Sequence, residues 1–386
     1  MKTIFLLFLH LSFIQVNGQV WESVSSVPSA GRDDGVAFAI GGLGYLVTGN
    51  QNGFTESNKL FKYDPKLDVW KESTPFPGEP RQYAGSFVMD DKAYVLCGLS
   101  EAGEVLNDVW QFNSITSEWK RMKDFPGNGR WSFFSFSTLE FGFIGTGSTI
   151  DFGNVDDCWK YIPYKDEWVR IQDYPEGGIR DVVGFCLGNE CFAGTGFKYN
   201  PLTFSKRFYK YDLTLNLWSS IQDFPGEGRG YAGVENVGDK AIVGGGWGDQ
   251  NTYFKDNYTF SVENGWEEIE HFPVQGWRGM SSFSIDNSVY FLTGLYENLS
   301  RTSDVHKITF SKSETARLYP NPTNDISHIY NSFGAEIHIL DLKGNVILKM
   351  PPNDEGYHIL PKLSSGIYLV KVIKDKVEFI FKWIII

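Results

Sequence analysis

The sequence predicts an all-β protein, a six-bladed β-propeller followed by a small β-sandwich, and three observations carry that expectation. Six tryptophans, Trp21, Trp70, Trp119, Trp168, Trp218 and Trp266, are spaced by 49, 49, 49, 50 and 48 residues, as expected when one supersecondary unit is copied along a chain. Counting 28 residues on from each tryptophan reaches a glycine every time: Gly49, Gly98, Gly147, Gly196, Gly246 and Gly294. Between these markers, short apolar runs alternate with turn residues four times per unit, the pattern of four antiparallel strands in one blade.

Ahead of the first unit, residues 1–18 hold one lysine, an apolar run over 4–14, and Val16 and Gly18 at the −3 and −1 positions of a cleavage site before Gln19. This reads as a secretory signal peptide, because an apolar run of about 11 residues is well short of the roughly 20 needed to span a bilayer. No transmembrane segment is expected once it is removed. The apolar C-terminal stretch 379–386 is too short to span and is interrupted by Lys382.

The unit from Trp70 to Trp119 serves as the type. YAGSFVM over 83–89 is a first strand, DDK a turn, and AYVLCG over 93–98 a second strand ending on Gly98. A variable loop over 99–105 leads to a third strand, LNDVWQF, then to the turn NSITS and a fourth strand, EWKRM, carrying the next tryptophan. A glycine ending every second strand implies close backbone approach or a φ that side chains disfavour. Third-strand aromatics recur as Phe61, Trp110, Trp159, Tyr209 and Tyr258 and are expected to pack between blades. The last unit has no closing tryptophan, whereas the chain opens on a fourth-strand segment with no blade before it. Residues 19–311 are therefore expected to form the propeller, closed by 21–24 pairing with the strand around 305–310.

These marks resemble the Kelch family: the glycine ending the second strand, Asp108 with Trp110 in the third, and Tyr63-Asp64-Pro65 with Trp70 six residues after Asp64. The double glycine of that family is retained only at Gly245-Gly246, with Thr-Gly or Cys-Gly elsewhere. After Ser311 the composition changes, and strand-like segments surround the turn Lys343-Gly344-Asn345. Residues 314–386 resemble the C-terminal sorting domain of proteins exported by the type IX secretion system of Bacteroidetes. The matching residues are Tyr319-Pro320-Asn321-Pro322-Thr323, Asp341 with Gly344, and Leu363 with Gly366-Ile367-Tyr368 ahead of Val370-Lys371-Val372. The resemblance implies engagement of the type IX machinery and a secreted or outer-membrane cell-surface destination.

With 386 residues, 42% of them hydrophobic and 16% aromatic, the chain can bury substantial cores, and a net charge of −12 without a basic cluster argues against nucleic acid as a partner. Cys186 and Cys191 flank the turn 187–190 and can face each other across a hairpin, a candidate disulfide; Cys97 and Cys158 read as buried thiols. The propeller holds only His271 and His306, and no metalloprotease, P-loop or EF-hand motif is present. The GxGxxG match at 228–233 falls in the recurring loop and first strand of its blade and is not a dinucleotide site. No catalytic residue, cofactor or metal site is expected.

The strongest site candidates recur too. Arg32, Arg81, Arg130, Arg180, Arg229 and Arg278 lie 11 or 12 residues past each tryptophan, where a guanidinium fork could hold carboxylate, sulfate or phosphate, or could brace its own blade. Tyr83, Trp131, Tyr231 and Trp277 neighbour them, and Trp247 joins them as a loop aromatic suited to sugar rings or peptide side chains. Phe197, Tyr199, Asp249, Tyr296, Asp151 and Asp181 are non-repeating specificity candidates. The functional expectation is an exported recognition module that binds glycans or a protein partner at the axial mouth. The alternative is a carbohydrate-active enzyme like the sialic-acid epimerases that resemble six-bladed Kelch propellers, using an arginine for the sugar carboxylate and a carboxylate or histidine as proton carrier.

Overall fold

The computed structural model describes residues 19–52, 55–89, 91–150, 153–310, 317–319, 327–330, 334–352, 357–374 and 377–385. The signal segment 1–18, Asp151, and most of the Tyr319–Thr323 motif lie outside the described residues. Six antiparallel sheets follow one another along the chain. Blade 1 is built from Val36–Ile40, Leu43–Val47, Phe61–Asp64 and Val69–Glu72. Blade 2 repeats this order with Gly85–Met89, Lys92–Ser100, Val105–Asn113 and Glu118–Arg121. Blades 3, 4 and 5 begin at Phe134–Ser137, Val183–Leu187 and Gly233–Val237. Blade 6 takes Ser281–Ile285, Ser288–Leu292 and Val305–Thr309 from the end of the repeat region and Trp21–Val24 from its start. Trp21 lies opposite Ile308 and Val24 opposite Val305, so strands nearly 300 residues apart in sequence share one sheet.

The tryptophan ladder has a physical cause. Each indole Nε1–H donates to a backbone carbonyl at the outer edge of the preceding blade: Trp70 to Ser25 (2.8 Å), Trp119 to Thr74 (3.2 Å), Trp168 to Lys123 (3.4 Å), Trp218 to Gln172 (3.0 Å) and Trp266 to Gln222 (3.3 Å). Trp21 completes the ring by donating to Glu270 (3.1 Å). A tryptophan satisfies both demands of this position, a large apolar ring against the neighbouring blade and a donor at its rim.

The glycine ladder works on the inner side. The six glycines have φ between 96 and 109°, a region that disfavours side chains. Each donates its N–H to a carbonyl of the next blade, as Gly49 to Arg81 (2.8 Å) and Gly294 to Arg32 (2.6 Å). The residue before each glycine, Thr48, Cys97, Thr146, Thr195, Gly245 or Thr293, is left-handed as well, with φ of 56 to 64°. The double-glycine geometry therefore persists even where only one glycine does.

First strands alternate between a face toward the axis and a face packed between blades, and the buried clusters run from one blade into the next. Serines stitch neighbouring first strands across the axial channel, with Ser137 donating to the Val88 carbonyl (2.7 Å) and Ser282 to that of Val234 (2.9 Å). In blade 4, Cys186 and Cys191 sit opposite each other across a hairpin and are joined by a disulfide, whereas Cys97 and Cys158 are free and buried. His306 is buried in its third strand, its pKa lowered by burial. Beyond the repeats, Arg317–Tyr319, Ser327–Tyr330 and Tyr357–Leu360 form one sheet. Val346–Met350, Glu336–Leu340, Gly366–Lys374 and Val377–Ile385 form another, and Ile329, Ile337, Ile339, Leu360, Val370, Val372 and Trp383 make a common core. No described helix is long and apolar enough to cross a membrane.

Candidate ligand-binding mouth

One end of the propeller axis is closed by a belt of six left-handed residues, one per blade: Asp34, Tyr83, Ser132, Asp181, Tyr231 and Gly279, with φ between 53 and 59°. Backbone hydrogen bonds pass around it. Tyr83 N–H donates to Asp34 (2.9 Å), Ser132 to Tyr83 (3.3 Å), Asp181 to Ser132 (2.8 Å), Gly279 to Tyr231 (3.1 Å) and Asp34 to Gly279 (2.9 Å). The left-handed backbone turns each side chain into a cavity of about 190 Å³. Residues three blades apart match in kind, Asp34 with Asp181 and Tyr83 with Tyr231, whose rings lie 6.1 Å apart. Gly279 breaks the symmetry, and a Cβ there would meet the Asp34 Oδ1 at 2.6 Å, so the glycine makes room for that carboxyl.

Around this belt the six recurring arginines divide into two groups. Arg32, Arg81, Arg130 and Arg229 stand 11 residues after their tryptophans and are almost fully buried. Their Nη1 groups donate to the carbonyls of Thr48, Cys97, Thr146 and Gly245. Arg81, Arg130 and Arg229 pair with Asp108, Asp157 and Asp256 at the start of the third strand and stack over Phe76, Phe125 and Phe224. Arg32 has no such carboxylate; it donates to Ser29 Oγ (3.0 Å), and burial pushes its pKa down to about 10.

Arg180 and Arg278 stand 12 residues after their tryptophans, and in extended chain one residue reverses the direction of the side chain. Ile179 and Trp277 occupy the bracing positions of these blades, and the Trp277 indole donates to the Thr293 carbonyl (2.6 Å) as the arginines do elsewhere. Arg180 faces the mouth instead. Its Nε–H donates to Asp181 (2.8 Å) and its Nη2 to Ser132 Oγ (2.6 Å) and Tyr231 Oη (3.3 Å). The rings of Tyr83, Trp131, Phe197, Tyr199 and Tyr231 surround its guanidinium carbon at 5.4 to 5.8 Å. Arg278 is less buried. Its Nε–H donates to Tyr253 Oη (3.0 Å), its guanidinium lies 4.8 Å from the centre of the Tyr231 ring, and neither terminal nitrogen has a hydrogen-bond partner among the described residues.

The electrostatics follow from this enclosure. Burial raises the Asp34 pKa well above the carboxylate range, neighbouring Asp33 adds to the rise, and Arg278 opposes it. Asp181 is raised by burial against the pull of Arg180. Burial alone would lower both arginines, but the negative charge of Asp181 beside Arg180 and of Asp34 beside Arg278 holds each above its ordinary value. The mouth therefore presents fixed cations beside carboxyls that take up protons readily.

Other sequence candidates divide between mouth and core. Phe197 is buried and Tyr199 is 49% exposed on a hairpin, Phe197–Tyr199 with Leu202–Phe204, against which Trp247 packs. Trp131 and Trp277 are buried. Asp249 is exposed on a short turn, and Tyr296 is buried with its hydroxyl donating to Asp304 (3.0 Å). Asp34, Ser132 and Tyr253 were not legible as site residues. The distinction between 11 and 12 in the arginine spacing was the signal that pointed toward their neighbourhood.

Residues 80–126, which include blade 2 with its complete Arg81, Asp108 and Phe76 brace, match the Kelch motif. The protein is thus a Kelch-type propeller. Residues 317–386 match the secretion system C-terminal sorting domain, which directs it to secretion or the cell surface through the type IX system. Among curated proteins none matches the sequence. Among solved structures the fold is similar to that of YjhT, with a TM-score of 0.64 at 17% identity over 75% of this chain and 98% of that one.

Proposed function

We propose that this is an exported recognition module that binds an acidic glycan at the mouth, with Arg278 and Arg180 engaging its carboxylate and Tyr199, Tyr231 and Trp247 contacting its apolar ring faces. The observation that carries the reading is the one-residue displacement of these two arginines, which removes them from the bracing role and leaves Arg278 with unpaired donors. Planar, bidentate recognition of a carboxylate suits such a group. On this reading residues 1–18 are the export signal, removed before the chain reaches the surface. The test is a panel of acidic and neutral sugars presented to the mature protein. Acidic sugars should bind, and Arg278→Gln should weaken them while leaving the melting temperature in place. A panel without hits would overturn the glycan reading in favour of a protein partner.

Asp34 favours a second reading. A carboxyl that remains protonated beside Arg278 can hand a proton to a sugar whose carboxylate that arginine holds, as the epimerase alternative requires. NMR of each bound sugar separates the two. Conversion that disappears in Asp34→Asn while binding persists would establish an enzyme, and unchanged spectra would leave a lectin-like module.

A further inference from the structure

Below the belt the axial channel widens into a cavity of about 440 Å³. Five blades place a phenylalanine at the middle of the first strand, Phe38, Phe87, Phe136, Phe185 and Phe283, each paired with a second-strand aromatic at 4.9 to 5.4 Å between ring centres. Blade 5 places Glu235 there, opposite Ile242. Its Oε1 accepts from the Asn236 N–H (3.1 Å) and from Ser284 Oγ of blade 6 (3.2 Å). Glu235 is the only ionisable side chain among the residues lining the cavity; the next along the axis are Asp34, Tyr83, Asp181 and Tyr231 of the belt. Burial raises its pKa to about 7. A repeat that gives up an apolar contact for a buried carboxylate loses stability unless the charge serves a purpose.

The chemistry of the remaining lining indicates the purpose. Ser137 and Ser282 use their hydroxyl hydrogens on the Val88 and Val234 carbonyls, and Ser284 uses its own on Glu235. Asn236 donates its Nδ2 to the Cys186 carbonyl (3.0 Å), and its buried Oδ1 has no donor. These donors are committed between blades, so the lone pairs that remain toward the channel, with the carboxylate, are acceptors. A cavity with one negative charge and surplus acceptors is complementary to a group with one positive charge and several N–H donors. We infer that the axial channel is a second binding site, distinct from the arginine mouth, in which Glu235 and Asn236 hold the primary ammonium group of a small organic ligand such as an amino sugar. Neutral hydroxylated molecules lack the charge, and bulky cations exceed the space.

The test is calorimetric titration of the mature protein with methylammonium and glucosamine, with glucose and potassium chloride as comparisons, in wild type, Glu235→Gln and Glu235→Asp. Saturable binding of either amine at pH 8 is expected. It should fall at least about tenfold in Glu235→Gln, the scale of losing a charged hydrogen bond, be partly retained in Glu235→Asp, and weaken as pH drops through 7. Melting temperatures establish that the variants are folded. Unchanged amine binding in Glu235→Gln, equal binding of glucose, displacement of the amine by equimolar potassium, or absence of saturable amine binding would each overturn the assignment.

Discussion

Blades 1, 2, 3 and 5 carry the same recurring arginine as blades 4 and 6, yet the two groups end in opposite environments. In the first, the guanidinium is sealed under the blade and pairs with backbone carbonyls and, in three blades of the four, with an aspartate. In the second it faces the axis among tyrosines. The partners differ to match, since the position of Asp108, Asp157 and Asp256 is Lys206 in blade 4, and in blade 6 Asp304 accepts from Tyr296 instead. Carboxyl acidity separates the groups as well. Burial would raise Asp108 and Asp157, but Arg81 and Arg130 outweigh it and hold them below their usual value, whereas Asp34 and Asp181 at the mouth are raised. A repeat thus acquires a site with little new chemistry: shifting one residue in a strand of period two moves a brace into a ligand position.

Both groups presuppose a closed ring, so the largest effect is expected from opening it. Deleting residues 19–24 removes the outer strand of blade 6 together with Trp21, which packs 4.9 Å from Phe272 and donates to Glu270. The loss should be about 5 kcal/mol or more in urea unfolding, and an unchanged midpoint would show that closure does not depend on this pairing. Next comes the brace. Arg81→Met leaves the carboxylate of Asp108 buried without its partner and should cost about 3–5 kcal/mol, with part of that recovered when Asp108→Leu is added. Arg32→Met, which strands no carboxylate, should cost less, about 1–3 kcal/mol. Equal losses at the two positions would remove the distinction between paired and unpaired braces.

Acidity gives a third test, with a sign. Glu235 is raised from 4.5 to about 7 in the folded protein, so its contribution to stability is fully present below pH 4.5 and is lost as pH rises through 7. Asp108 and Asp157 act in the opposite sense: their contribution is present above the ordinary aspartate range and is lost as pH falls through their lowered values. Glu235→Gln should therefore match wild type in acid and exceed it at pH 8 by an amount on the order of 3 kcal/mol. Identical pH profiles for the two proteins would mean that Glu235 does not titrate between them.

Much of the architecture was legible because the same physical demand recurs six times. The tryptophan spacing reports a donor and a ring needed at every blade rim, and the glycine spacing reports a φ needed at every inner strand end. The opening strand was legible from what the last unit lacked. The site was less so, because it depends on departures from the repeat. An arginine that occurs in all six units reads first as scaffold. Only register decides which copies are buried, and register is a property of paired strands. Asp34 and Ser132 carry no motif and matter through a left-handed backbone at the axis, and Glu235 emerges as exceptional only once the five phenylalanines are aligned in space.

The smallest expected change in stability is the most informative about the mouth. Arg278 makes one hydrogen bond, to Tyr253, and stacks on Tyr231 while its terminal nitrogens remain unpaired. Arg278→Gln should therefore lower stability by no more than about 1 kcal/mol, the scale of a single net hydrogen bond. Against an acidic ligand the same substitution removes a charged, two-pronged contact, and affinity should fall about 10- to 100-fold. Arg278 also holds down the proton affinity of Asp34, so the variant should raise the Asp34 pKa further and move any pH dependence of binding upward. If Arg278→Gln proved as destabilising as Arg81→Met, the blade 6 arginine would be a brace after all, and the division between the two groups would fail at its most exposed member.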